Sequence, residues 1–356
     1  MMYVIPKRAT GIPPCRPKKG ELPMGICRLI ASLLCGTVVA AVAVSSAASQ
    51  DAKPEPDGGY TVGFVAPMIQ LPFYAAMKCS AEKTAKKNNI NLLWQGSTTS
   101  SPRDMMQIVQ ALVAQNPDGM LLAPWDATAF IASTKEMMSA GIPVITVDGS
   151  LNEPVDVANI RTGNIAAGKQ AAEDLMKIVG GKGTVLILTD SPGNKVQTER
   201  YSGFKEVLES KFKGVTVLPV QYVNSQAAKA STITSATIAA NPDLVAIYTT
   251  QDAGGEGAAN ALRAAGKTGE IKLVGFDATP AQVENLKAGN YDALVSQAPY
   301  DIGEQMIVAM KKVLVEGAAK AGLPRDTLTG FKTLTRENVD LPESRRYVFR
   351  SDCADL

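Results

Sequence analysis

The chain has 356 residues, enough for two ordinary domains, and its 46% of hydrophobic and 20% of charged residues are typical of a globular protein with a large core. It contains no histidine. This absence excludes Ser-His and Cys-His catalytic pairs and removes the commonest general base and metal ligand. We therefore expect neither a bound metal ion nor another cofactor.

Residues 1–48 have the pattern of a secretory signal peptide. Basic residues precede an apolar run from Leu29 to Val44, and small residues follow this run. The run is shorter than the roughly 20 residues that span a bilayer, so we favour cleavage after Ala48 over a membrane anchor. Translation could start at Met1 or at Met24, because Met24–Ala48 alone makes a signal peptide of ordinary length.

The net charge of the mature chain differs from that of the full sequence. Removal of residues 1–48 takes away six basic residues and one acidic residue, and the net charge changes from +2 to about −3. The basic isoelectric point therefore reflects the leader. A weakly acidic mature chain gives no reason to expect a nucleic-acid partner.

Two of the five cysteines, Cys79 and Cys353, follow the predicted cleavage site. An even number of cysteines in an oxidising compartment favours a disulfide between them. Such a bond would tie the C-terminal tail to the first domain. The alternative is a buried free thiol at Cys79 and a second free thiol in the tail.

After a flexible leader at residues 49–59, short apolar runs alternate with longer amphipathic stretches. Apolar strands that alternate with helices indicate βαβ units and parallel sheets covered on both faces. The pattern predicts two successive α/β domains, with one large doubly wound sheet as the alternative. The predicted strands are 61–67, 90–94, 119–123, 144–147, 184–189, 215–222, 244–249, 271–275 and 293–296. The predicted helices are 73–88, 102–115, 128–140, 165–179, 196–211, 226–239, 255–265, 281–287 and 302–315.

Polar and aromatic residues follow many of the predicted strands, where parallel α/β sheets bind their ligands. Carboxylates and amides form hydrogen bonds with hydroxyl groups, and aromatic rings cover the C–H faces of sugars, so this set indicates a neutral polyhydroxylated ligand. Asp126, Asp252 and Asp277 could instead be N-caps of the helices that follow them. The candidate residues are Gln70, Phe73, Tyr74, Trp125, Asp126, Asp148, Asn224, Gln251, Asp252, Asp277 and Gln297.

Six short motifs occur in a fixed order: Gln70–Tyr74, Gly141–Asp148, Glu199–Phe204, Gln251–Asp252, Val274–Asp277 and Ser296–Gln297. In this order and spacing they resemble the periplasmic ribose-binding family of ABC-transporter solute receptors, type I. The resemblance extends from Tyr60 to about Val315. It implies that Arg200 reaches the ligand and that the rings at positions 73 and 74 lie against a sugar.

The resemblance also implies an architecture and a set of partners. Two Rossmann-like domains would be joined by three crossings of the chain, near residues 160–162, 297 and 329–331. The first domain would comprise residues 60–161 and 298–328, the second residues 162–297 and 329–345, and residues 346–356 would form a tail. Hinge closure would trap a sugar or polyol, and a monomeric periplasmic protein would deliver it to a membrane permease.

Two positions depart from the family pattern. Members that bind pyranose ribose commonly have Arg directly after the aspartate of the fourth strand, whereas Gly149 follows Asp148 here. The first loop has Gln70 and Leu71 where a pair of asparagines is usual. With one strong hydrogen-bond donor missing, we expect a ligand other than ribose.

Functions other than solute transport would need a different partner or different sequence features. A chemotaxis or signal receptor would use the same fold and the same closure with a different membrane partner. A glycosidase would need a pair of carboxylates, for which Asp126, Asp148, Asp252 and Asp277 are the candidates. A transcription regulator would carry a helix-turn-helix before the first strand, where the signal peptide and a Pro/Gly-rich stretch lie instead. We therefore expect a binding protein and not an enzyme.

Overall fold

The computed structural model describes residues 54–353. The predicted signal peptide, its cleavage site and the start of the flexible leader lie outside these residues. Within the described range, no helix combines the length and the apolar character needed to cross a membrane.

The first part of the chain alternates strands and helices as far as Thr162. Its strands are mostly buried because both faces of the sheet are covered by helices. The elements are β1 (Tyr60–Ala66), α1 (Pro72–Lys87), β2 (Ile90–Gly96), α2 (Pro102–Val113), β3 (Gly119–Leu122), α3 (Ile131–Ser139), β4 (Val144–Val147) and β5 (Ala158–Thr162).

The second part repeats this alternation and ends in a short C-terminal region. Its elements are α4 (Asn164–Val179), β6 (Lys182–Thr189), α5 (Lys195–Lys211), β7 (Gly214–Val217), β8 (Gln221–Tyr222), α6 (Ala227–Ala240), β9 (Leu244–Thr249), α7 (Asp252–Ala264), β10 (Lys272–Phe276), α8 (Pro280–Lys287), β11 (Ala293–Gln297), α9 (Pro299–Glu316), β12 (Asp326–Thr329) and β13 (Phe331–Leu334). A 3₁₀ helix, Pro342–Tyr347, follows β13.

The strands form two separate sheets. The first has the order β12-β5-β4-β3-β1-β2 and is parallel throughout. The second has the order β13-β11-β10-β9-β6-β7, with β8 also paired to β6, and is parallel except for the edge strand β13, which runs antiparallel to β11. The predicted strand 215–222 is two strands, because Pro219 has no N–H group to continue the ladder.

Each sheet is the centre of one lobe. We call the first sheet with α1–α3 and α9 lobe 1, and the second sheet with α4–α8 lobe 2. In lobe 1, Phe64 and Ile145 of the sheet pack in one core with Met77 of α1 and Met306 of α9. The chain passes between the sheets after β5, after β11 and between β12 and β13. The expected fold class, two parallel-sheet domains joined by a three-segment hinge, is confirmed.

The C-terminal region returns from lobe 2 to lobe 1. Cys353 forms a disulfide with Cys79 of α1, across 274 positions of sequence. Cys353 and Phe349 are both buried in the core of lobe 1. The covalent bond therefore holds the last described residues against the first helix.

We expect loss of this disulfide to lower the stability of the protein. Removing a native disulfide typically costs about 2–5 kcal/mol, because the unfolded chain gains freedom when a long loop is no longer closed. The double variant C79S/C353S should therefore melt at a lower temperature than the wild type in differential scanning calorimetry. Addition of a reductant should lower the melting temperature of the wild type and leave that of the variant unchanged. Equal melting temperatures of variant and wild type would contradict the prediction.

Candidate ligand-binding cleft

A cavity of about 150 Å³ lies between the two lobes, at the carboxyl ends of their strands. An apolar cavity of this volume accepts a six-membered ring the size of benzene. Lobe 1 contributes Met68, Leu71, Phe73, Tyr74, Pro124, Trp125 and Asp148 to its lining. Lobe 2 contributes Asn194, Val196, Gln197, Arg200, Ser225, Gln251, Asp252, Ala253, Asp277 and Gln297.

The wall from lobe 1 is mainly aromatic. Pro72 occupies the first turn of α1, where its missing N–H has no helical partner to lose, and it places Phe73 and Tyr74 at the helix start. The rings of Phe73 and Tyr74 meet edge to face with centroids 5.2 Å apart. Trp125, which follows β3, lies in the same wall. Three rings thus present apolar surface to the cavity.

Asp148 is a charged group in this aromatic wall. Its carboxylate accepts a hydrogen bond of 2.9 Å from the Tyr74 hydroxyl. Burial raises the pKa of the Asp148 carboxyl, and the nearby Arg200 guanidinium opposes that rise. Asp148 has a φ of 59°, and its N–H donates to the Ile160 carbonyl of the neighbouring strand β5. This bent backbone at the end of β4 directs the carboxylate into the cleft.

Asp277 occupies the matching place in lobe 2. It follows β10, has a φ of 75° and donates its N–H to the Val295 carbonyl of the neighbouring strand β11. Its carboxylate accepts a 2.6 Å hydrogen bond from the Gln297 side-chain amide. Burial raises the pKa of the Asp277 carboxyl, again opposed by Arg200. The two lobes therefore place one aspartate each on opposite sides of the cavity.

The alternative interpretation of Asp277 as a helix cap is wrong. Thr279 caps α8 and forms a capping box with Gln282, since each side chain bonds the backbone of the other residue. Asp277 is left free to face the cleft.

Arg200 is held in a fixed position by lobe 2 alone. Its side chain is 2% exposed, with Nε donating to the Asn164 side chain at 2.9 Å and Nη1 donating to the Thr250 carbonyl at 2.8 Å. The guanidinium carbon lies 3.7 Å from the centre of the Phe276 ring. Its Nη1 is 3.9 Å from the Asp277 carboxylate. The guanidinium is thus oriented before any ligand arrives.

The start of α7 supplies two further polar groups. The Gln251 side-chain oxygen caps the helix by accepting from the Ala253 N–H at 2.8 Å. Its Nε2, like Oε1 of Gln197, is buried without a hydrogen-bond partner in the described part of the protein. Buried polar atoms in this state are costly unless a ligand or water satisfies them. Both atoms belong to residues of the cavity wall.

Asp252 is the third carboxyl group of the cavity wall. Burial and the charge of Asp277 raise its pKa from 3.8 to about 6, and the hydrogen bond from the Ala253 N–H opposes this effect. The cavity wall thus holds three carboxyl groups and one guanidinium. Residues 54–353 contain no cluster of acidic and cysteine side chains suited to a metal ion.

Three candidate residues lie outside the cavity lining. Gln70 is exposed and donates to the Thr98 carbonyl at 3.2 Å. Asp126 accepts from the N–H groups of Thr128 and Ala129 at 2.8 Å, so it caps the turn that leads into α3. Asn224 is exposed, and the next residue along the chain faces the cavity in its place.

The wall from lobe 2 contains polar residues that the sequence analysis missed. Asn194 is the N-cap of α5, and Gln197 and Arg200 follow it at steps of three residues. Residues three apart lie on the same face of a helix. Once Arg200 is assigned to the cleft, this spacing therefore predicts that Gln197 and Asn194 face the cleft as well. Asn224 and Ser225 both have positive φ. In this backbone conformation Ser225, and not Asn224, faces the cavity, which the sequence alone does not indicate.

Gly149, the position that departs from the family pattern, has no room for a side chain. A Cβ atom built on this residue would lie 2.3 Å from the Pro124 carbonyl oxygen. The loop after β4 therefore packs backbone to backbone against the loop after β3. Any larger residue at position 149 requires one of these loops to move.

The lobes meet at the rim of the cavity and beside the hinge. At the rim, Asp126 lies against Gly193, and the Lys195 ammonium is 3.4 Å from the Leu151 carbonyl. Beside the hinge, Arg161 of β5 forms a 2.5 Å ion pair with Glu199 of α5. These contacts close the cleft around the cavity.

Two lobes that close over a small cavity lined by rings, amides and carboxylates define a bilobal ligand-binding protein. Residues 62–319 match the family described as periplasmic binding protein domain. The chain belongs to this periplasmic binding protein family, whose members bind the substrates of transporters and are not enzymes.

Curated relatives and solved structures of similar proteins cover most of the chain. The ribose import binding protein of Salmonella typhimurium is 30% identical over 291 residues, which cover 82% of this chain and 95% of that protein. The xylitol-binding protein of Mycolicibacterium smegmatis is 27% identical and covers 72% of each chain. An ABC transporter solute-binding protein from Agrobacterium vitis with bound α-D-tagatopyranose is 30% identical, with a TM-score of 0.76 over 82% of this chain and 99% of that one.

The raised pKa of Asp252 predicts a pH-dependent stability difference. In the unfolded chain this carboxyl has its ordinary pKa near 3.8, whereas in the folded protein the value is about 6. The folded state therefore holds the proton more tightly, and the wild type loses stability as the pH rises from about 4 to about 6. The amide in D252N cannot ionise, so this variant should gain roughly 1–3 kcal/mol over the wild type between pH 4 and pH 7.

Thermal melts of both proteins at each pH unit from 4 to 8, without ligand, measure this difference. D57N, at an exposed site before β1, is the control and should follow the wild type at every pH. A constant gap between the D252N and wild-type melting temperatures would show that Asp252 titrates normally.

Proposed function

We propose that this protein is the sugar- or polyol-binding component of an ABC importer and captures its ligand by closure of the two lobes. The observation that carries the proposal is the cavity between the lobes, in which an aromatic wall from lobe 1 faces a hydrogen-bonding wall from lobe 2. Aromatic rings fit the C–H face of a sugar ring, and amides and carboxylates fit its hydroxyl groups. The relatives named for ribose and xylitol support this ligand class.

The charges of the cavity favour a neutral ligand. Three carboxyl groups and one guanidinium line it, and that guanidinium already donates to Asn164 and Thr250. A sugar phosphate or a sugar acid would bring further negative charge into a cavity whose wall already has three carboxyl groups and one guanidinium. Hydroxyl groups can donate to the carboxylates and accept from the amide of Gln251.

The proposal assigns roles to the predicted residues that line the cavity. Phe73, Tyr74 and Trp125 would stack against the ligand or enclose it. Direct hydrogen bonds would come from Asp148, Arg200, Gln251, Asp252, Asp277 and Gln297, together with Gln197. Gln70, Asp126 and Asn224 would shape the loops around the cavity.

The proposal also includes the predictions on boundaries and location. Lobe 1 would comprise residues 60–161 and 298–328, and lobe 2 residues 162–297 and 329–345, a division that the membership of the strands in the two sheets supports to within one residue. Export to the periplasm, cleavage after Ala48, a monomeric mature protein and delivery to a permease stay predictions. The relatives from ABC importers support the transport partner.

A ligand screen tests the proposed function directly. A ligand at one hundred times its dissociation constant stabilises the folded state by about 2.7 kcal/mol. Thermal-shift measurements should show a rise with at least one neutral pentose, hexose, inositol or linear polyol, and no rise with ribose 5-phosphate or gluconate. A rise with amino acids or peptides alone would refute the sugar assignment.

Substitution of Asp277 tests the assigned site. The variant D277A removes a charged hydrogen-bond acceptor that faces the cavity, so we expect the affinity for the ligand found in the screen to fall at least tenfold. Isothermal titration calorimetry measures the loss, and circular dichroism checks the fold. D340N is the matched control, because Asp340 is an exposed aspartate of lobe 2 paired with Lys287. Unchanged affinity in folded D277A would remove Asp277 from the site.

A further inference from the structure

Residues 347–353, which we call the C-terminal strap, lie beyond the part of the chain that matches the family. The strap starts at the last residue of the 3₁₀ helix and ends at the disulfide with α1. The strap begins at the hinge, because Tyr347 lies beside Gly330, the residue between β12 and β13. The Tyr347 hydroxyl is 3.5 Å from the position that a Cβ atom on Gly330 would occupy. The strap therefore runs from the third crossing of the chain to lobe 1.

The strap bonds lobe 2 directly beside two cavity residues. The Phe349 N–H donates to the Ala278 carbonyl at 3.0 Å, next to Asp277. The Ser296 hydroxyl donates to the Tyr347 carbonyl, next to Gln297. Together with the packing of Tyr347 and Val348 against the lobe 2 core, these two hydrogen bonds fix the strap to lobe 2.

The strap is attached more firmly to lobe 1. The Tyr300 hydroxyl at the start of α9 accepts from the Arg350 N–H at 2.9 Å and lies 3.1 Å from the Val348 and Arg350 carbonyl oxygens. The disulfide adds a covalent bond to α1. The strap therefore connects the two lobes, with a covalent attachment on the lobe 1 side and noncovalent contacts on the lobe 2 side.

Phe349 connects the strap to the aromatic wall of the cleft. Its ring is 1% exposed and meets the ring of Phe73 edge to face, with centroids 5.5 Å apart. Phe73 is itself a residue of the cavity wall, so Phe349 lies behind it as a second layer. The strap thus holds α1 at two points, at Phe73 near its start and at Cys79 two turns later.

We propose that the C-terminal strap is a fourth, disulfide-anchored hinge segment that favours the closed state, and that Phe349 is a positioning residue for Phe73. The proposal rests on the proposed function, in which the closed state is the one that binds ligand. A segment that stabilises the closed state raises the apparent affinity, because a larger share of the protein is competent to bind. Loss of the strap contacts should weaken binding without removing any group that touches the ligand.

Two sets of variants test the proposal. F349A removes the ring behind Phe73, and C79S/C353S removes the covalent anchor. F349L is the conservative variant that refills most of the volume, and I90A is the control for lost stability, because Ile90 lies in the same core at the opposite end of the sheet. All are made in a W94F background, which leaves Trp125 in the cavity wall as the single tryptophan.

The probe is whichever of D-ribose, xylitol, D-tagatose and D-fucose gives the largest thermal shift with the wild type. Stopped-flow fluorescence of Trp125 measures its association and dissociation rates. We expect the dissociation constant to rise about tenfold in F349A and three- to tenfold in C79S/C353S, mainly through faster dissociation. F349L should recover most of the affinity, and I90A should bind like the wild type despite a lower melting temperature.

Wild-type affinity in F349A and in C79S/C353S would overturn the proposal. An equal loss of affinity in I90A would also overturn it, since the effect would then follow stability in general. If F349A does not fold, the comparison of C79S/C353S with I90A decides. Absence of binding by the wild type to every sugar and polyol would refute the proposed function, a result distinct from failure of the strap variants.

Discussion

The hydrogen-bond chain through Gln297 is the constraint on which the cleft depends. Its side-chain oxygen accepts from the Thr162 hydroxyl at 2.7 Å, and its amide donates to Asp277 at 2.6 Å. Thr162 ends the last strand before the first crossing, and Gln297 ends the last strand before the second. One side chain, 3% exposed, therefore fixes two hinge segments relative to the carboxylate of lobe 2. Since an amide oriented by both its ends has no freedom to rotate, the hinge geometry and the site geometry are set together.

The two walls of the cavity have different physical roles. Lobe 2 holds Arg200 and Asp277 by bonds within the lobe, so its hydrogen-bonding pattern exists before closure. Lobe 1 contributes the aromatic rings and the hydrogen-bonded pair of Tyr74 and Asp148. Under the proposed function, these side chains displace water from the ligand when the lobes meet. Polar contacts strengthen in a cavity without water, and burial raises the pKa of the carboxyl groups there. Under the proposed function, lobe 2 would recognise the ligand and lobe 1 would desolvate it.

The sequence predicted the two α/β blocks because their strands are apolar throughout and their helices are amphipathic. It did not predict β5, β12 and β13 as strands, since four or five residues with mixed polarity, such as Asp326–Thr329, give no periodic signal. At the site, most of the candidate residues that follow strands line the cavity, and Gln70, Asp126 and Asn224 do not. Gln197 and Ser225 were missed, because a helix face and a backbone with positive φ decide their direction. The contact of Phe349 with Phe73 could not be predicted, because the two residues are far apart in the sequence and no local pattern links them.

The close approach of Gly149 to Pro124 limits how this binding site can diverge from its relatives. The backbone of Pro124 occupies the space that any side chain at position 149 would need. A single codon change at this position would disrupt the loop before it altered the ligand. New ligands are therefore more accessible to the lineage through exchanges at Met68 or Leu71, whose side chains already border the cavity. Position 149 therefore has little freedom to vary, whereas side chains of the cavity wall can change without displacing a loop.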